Sequence, residues 1–147
     1  DLLTVAEVNP LRRASIEQHV RCATYGPRAE APAENGYDYV IDAVGSAITR
    51  NSALAAVAPG GVVMHIGLQD WASEIDMRKL TLAEITLLGT YTYSMADLRA
   101  TVAALARGAF GDLSWVERRA LDDAPRAFDE LHRGVLATAK VVLEPHA

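Results

Sequence analysis

The sequence predicts an α/β fold with a mostly parallel, doubly wound sheet. Two stretches carry this prediction, Gly36-Tyr-Asp-Tyr-Val-Ile-Asp-Ala-Val-Gly45 and Pro59-Gly-Gly-Val-Val-Met-His-Ile-Gly67. Each is typical of a buried parallel strand that ends in glycine, and the segment between them is long enough for one connecting helix. The third observation is that no Gly-x-Gly-x-x-Gly turn occurs in the 147 residues. We therefore expect an incomplete version of this sheet.

Composition narrows the class of protein. The formal net charge of −5 argues against a nucleic-acid partner, because phosphate binding needs a basic surface. No run of about 18 apolar residues is present, so we expect no membrane span. Cys22 is the single cysteine, which excludes an internal disulfide and a multi-cysteine zinc site in these residues. One thiol and a start without a basic leader favour a cytoplasmic location.

The first part of the chain predicts a strand, a helix and a second strand. Residues 2–8 are short, β-rich and mostly apolar. Asn9 is a good N-cap and proline at the next position favours the first helical turn, so we expect a helix over residues 10–18. Residues 21–25 are a short strand candidate, and a proline-containing loop follows them.

The middle of the chain predicts two more strands around a helix. Residues 37–43 form the clearest strand, and its inner residues Val40 and Ile41 lie on opposite faces. That pattern predicts a parallel strand covered on both sides. We expect a helix over residues 47–57, stopped by Pro59-Gly60-Gly61, and then a strand over residues 62–66.

The last part continues the alternation. We expect a short helical turn at residues 79–83 and a long strand over residues 85–93. Ser94 and Asp97 match a capping box that opens the next helix, which Gly108 ends. A further helix is predicted from Asp123 to the residue before Gly134, and a terminal strand over residues 140–144.

Ligands on parallel sheets bind at the carboxyl ends of the strands. We take five places as candidates on this ground: Glu7, Ala43 to Gly45, Ile66 to Leu68, Thr90 to Thr92, and Lys140. Each has a purely structural alternative. Glutamate and lysine at strand ends are commonly solvated, the glycines can serve tight turns alone, and a threonine-rich run is commonly only sheet.

The chain resembles the medium-chain dehydrogenase/reductase family, the zinc alcohol and polyol dehydrogenases. The motifs that carry the resemblance are Val5-Ala-Glu-Val-Asn-Pro10, Asp38-Tyr-Val-Ile-Asp-Ala-Val-Gly45, Ala58-Pro-Gly-Gly61, Ile66-Gly67, Ile85-Thr-Leu-Leu-Gly89, Asp122-Asp-Ala-Pro-Arg-Ala-Phe128 and Lys140-Val-Val-Leu143. The resemblance implies a Rossmann-like sheet ordered 3-2-1-4-5-6, to which these residues contribute strands 2 to 6. It also implies that residues 1–115 are a partial dinucleotide-binding domain, and that residues 116–147 return toward a catalytic domain.

Strand 1 of this order is central, and its absence from these residues has an energetic consequence. Strands 2 and 4 would face a gap with unpaired backbone groups. Each unmade buried hydrogen bond costs about 1–3 kcal/mol, and several would consume much of a typical stability of about 5–15 kcal/mol. We therefore expect the chain to fold well only with a complementing segment or with a rearranged sheet.

The resemblance also implies a cofactor and the residues that hold it. Glu7 would accept the adenosine ribose hydroxyls and repel a 2′-phosphate, which favours NAD over NADP, although Arg12 and Arg13 nearby could accommodate such a phosphate. The full set of expected cofactor-binding residues is Glu7, Asn9, Ala43, Val44, Gly45, Ile66, Gly67, Leu68, Thr90, Tyr91, Thr92 and Lys140.

We assign no catalytic residue and no metal ligand within these residues. We expect His65, in an apolar strand, to be a satisfied core histidine, and Asp42 to bond local backbone. By the resemblance, zinc and the pocket for an alcohol or polyol substrate belong to another part of the parent enzyme, and this portion alone is expected to be inactive. The alternative function is a non-catalytic module that dimerises through the edge strand at residues 85–93. A homodimer through that strand is expected in either case.

Overall fold

The computed structural model describes residues 2–145. Asp1, of the predicted domain 1–115, and His146 and Ala147, of the predicted segment 116–147, lie outside the described residues. The strands are β1 Thr4–Ala6, β2 Ala23–Tyr25, β3 Tyr37–Asp42, β4 Val57–His65, β5 Thr86–Gly89, β6 Glu117–Ala120 and β7 Val141–Glu144. The helices are α1 Pro10–His19, α2 Ala47–Ala56, α3 Met77–Leu82, α4 Met95–Ala106 and α5 Ala124–Arg133, with a 3-10 turn at Leu121–Asp123. Every strand pair is parallel, which confirms the predicted α/β class.

The described residues form two compact units, one of residues 31–95 and one of residues 2–30 with 96–145. The first unit holds a three-stranded sheet in the order β3-β4-β5, and the second holds the pairs β1-β2 and β6-β7. Removing strand 1 from the order 3-2-1-4-5-6 leaves the groups 3-2 and 4-5-6. The sheets β2-β1 and β3-β4-β5 correspond to these two groups. The division at residues 115/116 remains a prediction.

In the unit of residues 31–95, α2 begins at a capping box. The Ser46 hydroxyl accepts the Thr49 backbone N–H at 3.1 Å, and the Thr49 hydroxyl accepts the Ser46 N–H at 2.9 Å. This reciprocal pair satisfies two donors that a helix start leaves without partners. The core of the unit lies between α2 and one face of the sheet, and its buried members are Ala53, Leu54, Val57, Val63 and Ile85.

The other face of this sheet is open in the chain. Val40 packs against the core cluster, whereas Ile41 is 55% exposed and Tyr39 is 48% exposed. The prediction that β3 is covered on both sides is therefore wrong for this chain. The sequence pattern was that of a doubly covered strand, but the described residues supply a cover for one face only.

β4 begins earlier than the sequence predicted, because Pro59-Gly60-Gly61 lies inside the strand and not before it. The register with β3 shifts there: Tyr37 pairs with Val57, but Tyr39 pairs with Val62. Proline and glycine are tolerated in a strand at such a bulge. Gly60 has φ +76°, and its N–H donates to the Ala83 carbonyl at 2.8 Å.

In the other unit, α1 begins and α5 ends as predicted. Asn9 caps α1 by accepting the Leu11 N–H at 2.9 Å, and α5 ends at Gly134, whose φ of +67° is left-handed. The strand β6 was not predicted, since Glu117-Arg-Arg-Ala120 is charged and lacks apolar alternation. It pairs with β7 along its backbone, and its arginines make ion pairs where apolar contacts would be expected, such as that of Arg118 with Glu144.

Candidate functional site

The three strands of the unit formed by residues 31–95 end side by side. Asp42 of β3 pairs with His65 of β4, and His65 pairs with Gly89 of β5. The next residue in each strand opens one of three predicted site segments, residues 43–45, 66–68 and 90–92. The structure therefore brings these segments together at the carboxyl edge of one sheet, where ligands bind to parallel sheets.

Two of these segments are bonded to each other through their backbones. The N–H groups of residues 66 and 67 both donate to the Asp42 carbonyl, at 2.9 and 3.0 Å. Further along, Gln69 N–H donates to the Val44 carbonyl at 3.1 Å, and Asp70 N–H donates to the Gly45 carbonyl at 3.0 Å. These bonds run along both segments and fix one against the other.

Gly45 and Gly67 are required by this contact. A Cβ added at Gly67 would overlap the Val44 carbonyl group, and one added at Gly45 would overlap the Gly67 carbonyl and come within 2.7 Å of Leu68 N. Gly45 also has φ +74°, a left-handed conformation that favours glycine. The backbone contact therefore gives both glycines a structural reason, which is the alternative to ligand binding considered for them above.

The third segment begins at Thr90, whose N–H donates to the His65 carbonyl at 3.0 Å. Thr92 has φ +52°, in the left-handed region. This is a costly conformation for a β-branched residue, and such outliers concentrate at functional sites. Tyr91 between them is 79% exposed, and its side chain forms no part of the buried core.

Sequence reasoning missed Arg50, in the first half of α2, which bonds the end of β4 and the loop after it. Its Nε donates to His65 Nε2 at 3.0 Å, its Nη1 to the Ser73 hydroxyl at 2.8 Å, and its Nη2 to the Asp70 carbonyl at 2.7 Å. The one sequence signal for Arg50 was a charged residue in a helix with an apolar face. The bond to Arg50 confirms that His65 is satisfied, but the prediction that it is a core residue is wrong, because its side chain is 23% exposed and lines a pocket.

Asp42 is buried, with 4% of its surface exposed. Its Oδ1 accepts the Val44 and Gly45 N–H groups at 3.0 and 2.9 Å, which confirms that it bonds local backbone. Its Oδ2 is buried, has no hydrogen-bond partner among residues 2–145, and lies 3.7 Å from His65 Nε2. Since that nitrogen already accepts the Arg50 N–H, the histidine has no proton there to offer the carboxylate.

A pocket of about 480 Å³ lies beside the ends of β4 and β5. Its wall is mostly apolar, with Arg50, His65 and Ser73 as the polar groups. The full lining is Arg50, Leu54, His65, Trp71, Ala72, Ser73, Ile75, Leu87 and Gly89. An apolar pocket with a few convergent polar groups at this end of a sheet is typical of a small-molecule site.

In the other unit, Glu7 follows β1 directly. Its Oε1 accepts the Asn9 N–H at 2.7 Å, and its carbonyl accepts an N–H of Arg13 at 2.9 Å. The Asn9 side chain, besides capping α1, donates to the Gly134 carbonyl at 2.7 Å. Arg13 therefore lies back over the end of β1, and Asn9 joins the start of α1 to the end of α5.

The two remaining basic candidates differ in position. Arg12 has a buried Nε that meets no acceptor in the described part of the chain. Lys140 comes immediately before β7, at its amino end, and its carbonyl accepts the Glu117 N–H at 3.1 Å. It therefore does not meet the criterion of a strand's carboxyl end, and its expected role remains a prediction from the resemblance alone.

Among residues 2–145, no group of three or more His, Cys, Asp or Glu side chains could hold a metal ion. These residues thus do not fit a zinc site. Nor does the described chain contain a helix that is both long and apolar enough to cross a bilayer.

Comparison with known proteins identifies relatives over most of the chain. The sequence model for zinc-binding dehydrogenases matches residues 8–107. A protein described as a zinc-binding dehydrogenase from Sinorhizobium meliloti, solved with NADP bound, is 25% identical over 98% of this chain and 45% of its own, with a TM-score of 0.81. Acetophenone reductase from Geotrichum candidum, in complex with NAD, is 23% identical over 95% of this chain and 40% of its own, with a TM-score of 0.79.

A third structure, 2R,3R-butanediol dehydrogenase from Bacillus subtilis, is 18% identical over 97% of this chain and 43% of its own, with a TM-score of 0.83. These likenesses confirm the predicted Rossmann-like fold. The chain spans less than half the length of each of these three proteins. No curated protein sequence matches it significantly.

Proposed function

Because this chain belongs to the zinc-binding dehydrogenase family, we propose that it is the cofactor-binding portion of an NAD(P)-dependent oxidoreductase of the alcohol or polyol dehydrogenase type. The observation that supports the proposal most is the alignment of three strand ends, at Asp42, His65 and Gly89. It brings three short segments to one edge of a parallel sheet, which is where dinucleotides bind on this type of fold.

The nicotinamide half of the cofactor is assigned to this edge. Residues 43–45 and 66–68 would flank the nicotinamide ribose, and residues 90–92 would offer backbone groups to the carboxamide. The left-handed φ of Thr92 supports the last assignment, since strain of this kind persists where the surroundings demand it. These residues bind and orient the ring, which is the part of the chemistry that a protein supplies to a cofactor of this class.

The adenosine half is assigned to Glu7 and Asn9. A carboxylate at this strand end accepts ribose hydroxyls and repels a 2′-phosphate, so NAD is favoured over NADP. The Glu7 carbonyl accepts only one N–H of Arg13, whose guanidinium keeps its charge and further donors, so the preference for NAD rests on the Glu7 carboxylate. Lys140 is assigned to the pyrophosphate.

When bound, the dinucleotide supplies the hydride acceptor or donor for an alcohol or polyol substrate. The chain covers 40–45% of the three proteins compared above, so substrate binding is assigned to other parts of the parent enzyme. Since the described residues do not fit a zinc site, no step of the reaction is assigned to zinc here. We expect no alcohol oxidation by residues 1–147 alone.

The edge strand β5 is the proposed dimer contact. Its four residues are all exposed, and among the described strands it pairs with β4 alone. An exposed edge of this kind is a ready template for pairing with a second chain. The parent is proposed to be a cytoplasmic homodimer.

The binding test is calorimetric titration of the chain with NADH and with NADPH. We expect NADH to bind, with a dissociation constant in the millimolar range or lower, and more tightly than NADPH. Glu7→Gln is expected to reduce the ratio of the NADPH to the NADH dissociation constant by about tenfold, because it removes one charged hydrogen bond or one charge repulsion. The matched control is Glu30→Gln, an exposed site in the same unit that should change neither. If the Glu7 variant and the parent chain show the same ratio of NADPH to NADH dissociation constants, the assignment of Glu7 is contradicted. Absence of NADH binding would overturn the proposed function.

A further inference from the structure

Asp42 accepts four backbone N–H groups, two from each of the paired segments. Its carboxylate Oδ1 accepts those of Val44 and Gly45 at 3.0 and 2.9 Å. Its carbonyl accepts those of Ile66 and Gly67 at 2.9 and 3.0 Å. One residue therefore sets the starting point of both segments that are proposed to flank the nicotinamide ribose.

The contact between the segments leaves little room for independent movement. Gly45 and Gly67 touch backbone to backbone so closely that neither position could accept a Cβ without a shift of the chain. A displacement of residues 43–45 must therefore move residues 66–68 as well, because close-packed groups transmit strain. The carboxylate of Asp42 acts on the first segment directly and on the second through this contact.

The second carboxylate oxygen connects the same residue to the loop beyond. Oδ2 lies 3.7 Å from His65 Nε2, which accepts the Arg50 Nε–H at 3.0 Å. Arg50 in turn holds Ser73 and Asp70. The His65 ring therefore lies between the Asp42 carboxylate and the Arg50 guanidinium.

We propose that Asp42 is a positioning residue of the cofactor site, which sets segments 43–45 and 66–68 at the nicotinamide end without itself touching the dinucleotide. This inference rests on the function proposed above. Asp42 is suited to the role because it is buried and charged. Hydrogen bonds from N–H groups to a carboxylate are about twice as strong as those to a neutral amide.

Asp42→Asn separates positioning from folding. The amide keeps the size of the side chain and one oxygen acceptor, but it removes the charge that holds the Val44 and Gly45 N–H groups. The matched control is Asp38→Asn, four residues earlier on the same strand and the same face, where the side chain is exposed. Two ligands represent the two halves of the cofactor. Reduced nicotinamide mononucleotide probes the proposed nicotinamide end, and AMP probes the end at Glu7.

We expect Asp42→Asn to weaken binding of the reduced mononucleotide about tenfold, the usual effect of weakening hydrogen bonds to a charged group. AMP binding should stay within about twofold, and Asp38→Asn should change neither ligand by more than that. An equal loss for both ligands would show general destabilisation, and an unchanged nicotinamide affinity would show that Asp42 sets nothing. Either result overturns the proposal.

Amide hydrogen exchange gives a readout that needs no ligand. Asp42→Asn should accelerate exchange at Ile66 and Gly67 as well as at Val44 and Gly45, although the carbonyl that the first two bond is unchanged. Acceleration confined to residues 44 and 45 would refute the coupling. If the variant does not fold, exchange in the unsubstituted chain decides the matter, because the four amides should open as one unit with a common rate. Failure of the unsubstituted chain to bind the mononucleotide would instead count against the proposed function.

Discussion

Substituting alanine for four glycines of the unit of residues 31–95 separates two physical effects, overlap and backbone strain. A Cβ at Gly67 meets backbone atoms of the facing segment, whereas one at Gly89 meets nothing within 4 Å. Gly60 also has open space but lies at φ +76°, and Gly45 combines φ +74° with overlap. The four positions therefore form a complete two-by-two comparison of overlap and strain.

The expected losses of free energy of unfolding follow from these two terms. Overlap with rigid backbone costs about 3 kcal/mol, and a left-handed alanine costs about 1–2 kcal/mol. Gly67→Ala should thus lose about 3 kcal/mol, Gly60→Ala about 1–2 kcal/mol, and Gly45→Ala about 4–5 kcal/mol as the sum of the two effects. Gly89→Ala should stay within about 1 kcal/mol of the parent chain, with a gain possible because alanine restricts the unfolded state.

Urea unfolding followed by circular dichroism measures these four values. The double variant at Gly45 and Gly67 should cost less than the sum of its single changes, because the first Cβ already separates the segments that the second would meet. A Gly67→Ala variant as stable as Gly89→Ala would refute the mutual contact of the two segments, and with it the structural reason given for both glycines.

Three further predictions concern other parts of the chain. Asn9→Ala should cost about 2 kcal/mol in thermal or urea unfolding, because it removes both the α1 cap and the bond to the Gly134 carbonyl. The side chain and backbone N–H of Ser114 lower the pKa of Asp112 below its usual 3.8, so this carboxylate stabilises the fold at neutral pH and loses that contribution as the pH falls through the folded value. Ser114→Ala should raise the pKa of Asp112 toward 3.8, and an unchanged carboxyl-carbon NMR titration would contradict this cause. Leu88→Lys on β5 should weaken self-association in sedimentation experiments at least about tenfold, and an unchanged dimer would exclude this edge as the contact.

Much of the fold could be predicted because local signals and tertiary structure agree. Asn9 before a proline gave the start of α1, and the glycine at position 134 gave the end of α5. The aligned ends of β3 and β4 followed from parallel topology and strand length, whereas β5, predicted over residues 85–93, ends at Gly89. These features depend on short-range chemistry, which a sequence displays directly.

Other features depend on contacts between distant residues and gave no local signal. β6 is charged and lacks the apolar alternation of a strand, because its arginines pair with distant acidic residues, Arg118 with Glu144 of β7 and Arg119 with Glu130 of α5. Pro59-Gly60-Gly61 was expected to interrupt structure, yet it forms a bulge within β4. The three bonds of Arg50 could not be predicted for the same reason, since Ser73 and Asp70 come close to Arg50 only in the folded chain.

The proposed function requires that one edge of the β3-β4-β5 sheet binds nicotinamide, and a titration of the ¹⁵N-labelled chain with NADH, followed by NMR, tests that requirement most directly. We expect the amide signals of residues 43–45, 66–68 and 90–92 to shift together with a single dissociation constant. Shifts confined to other parts of the sheet, or none at millimolar NADH, would contradict it.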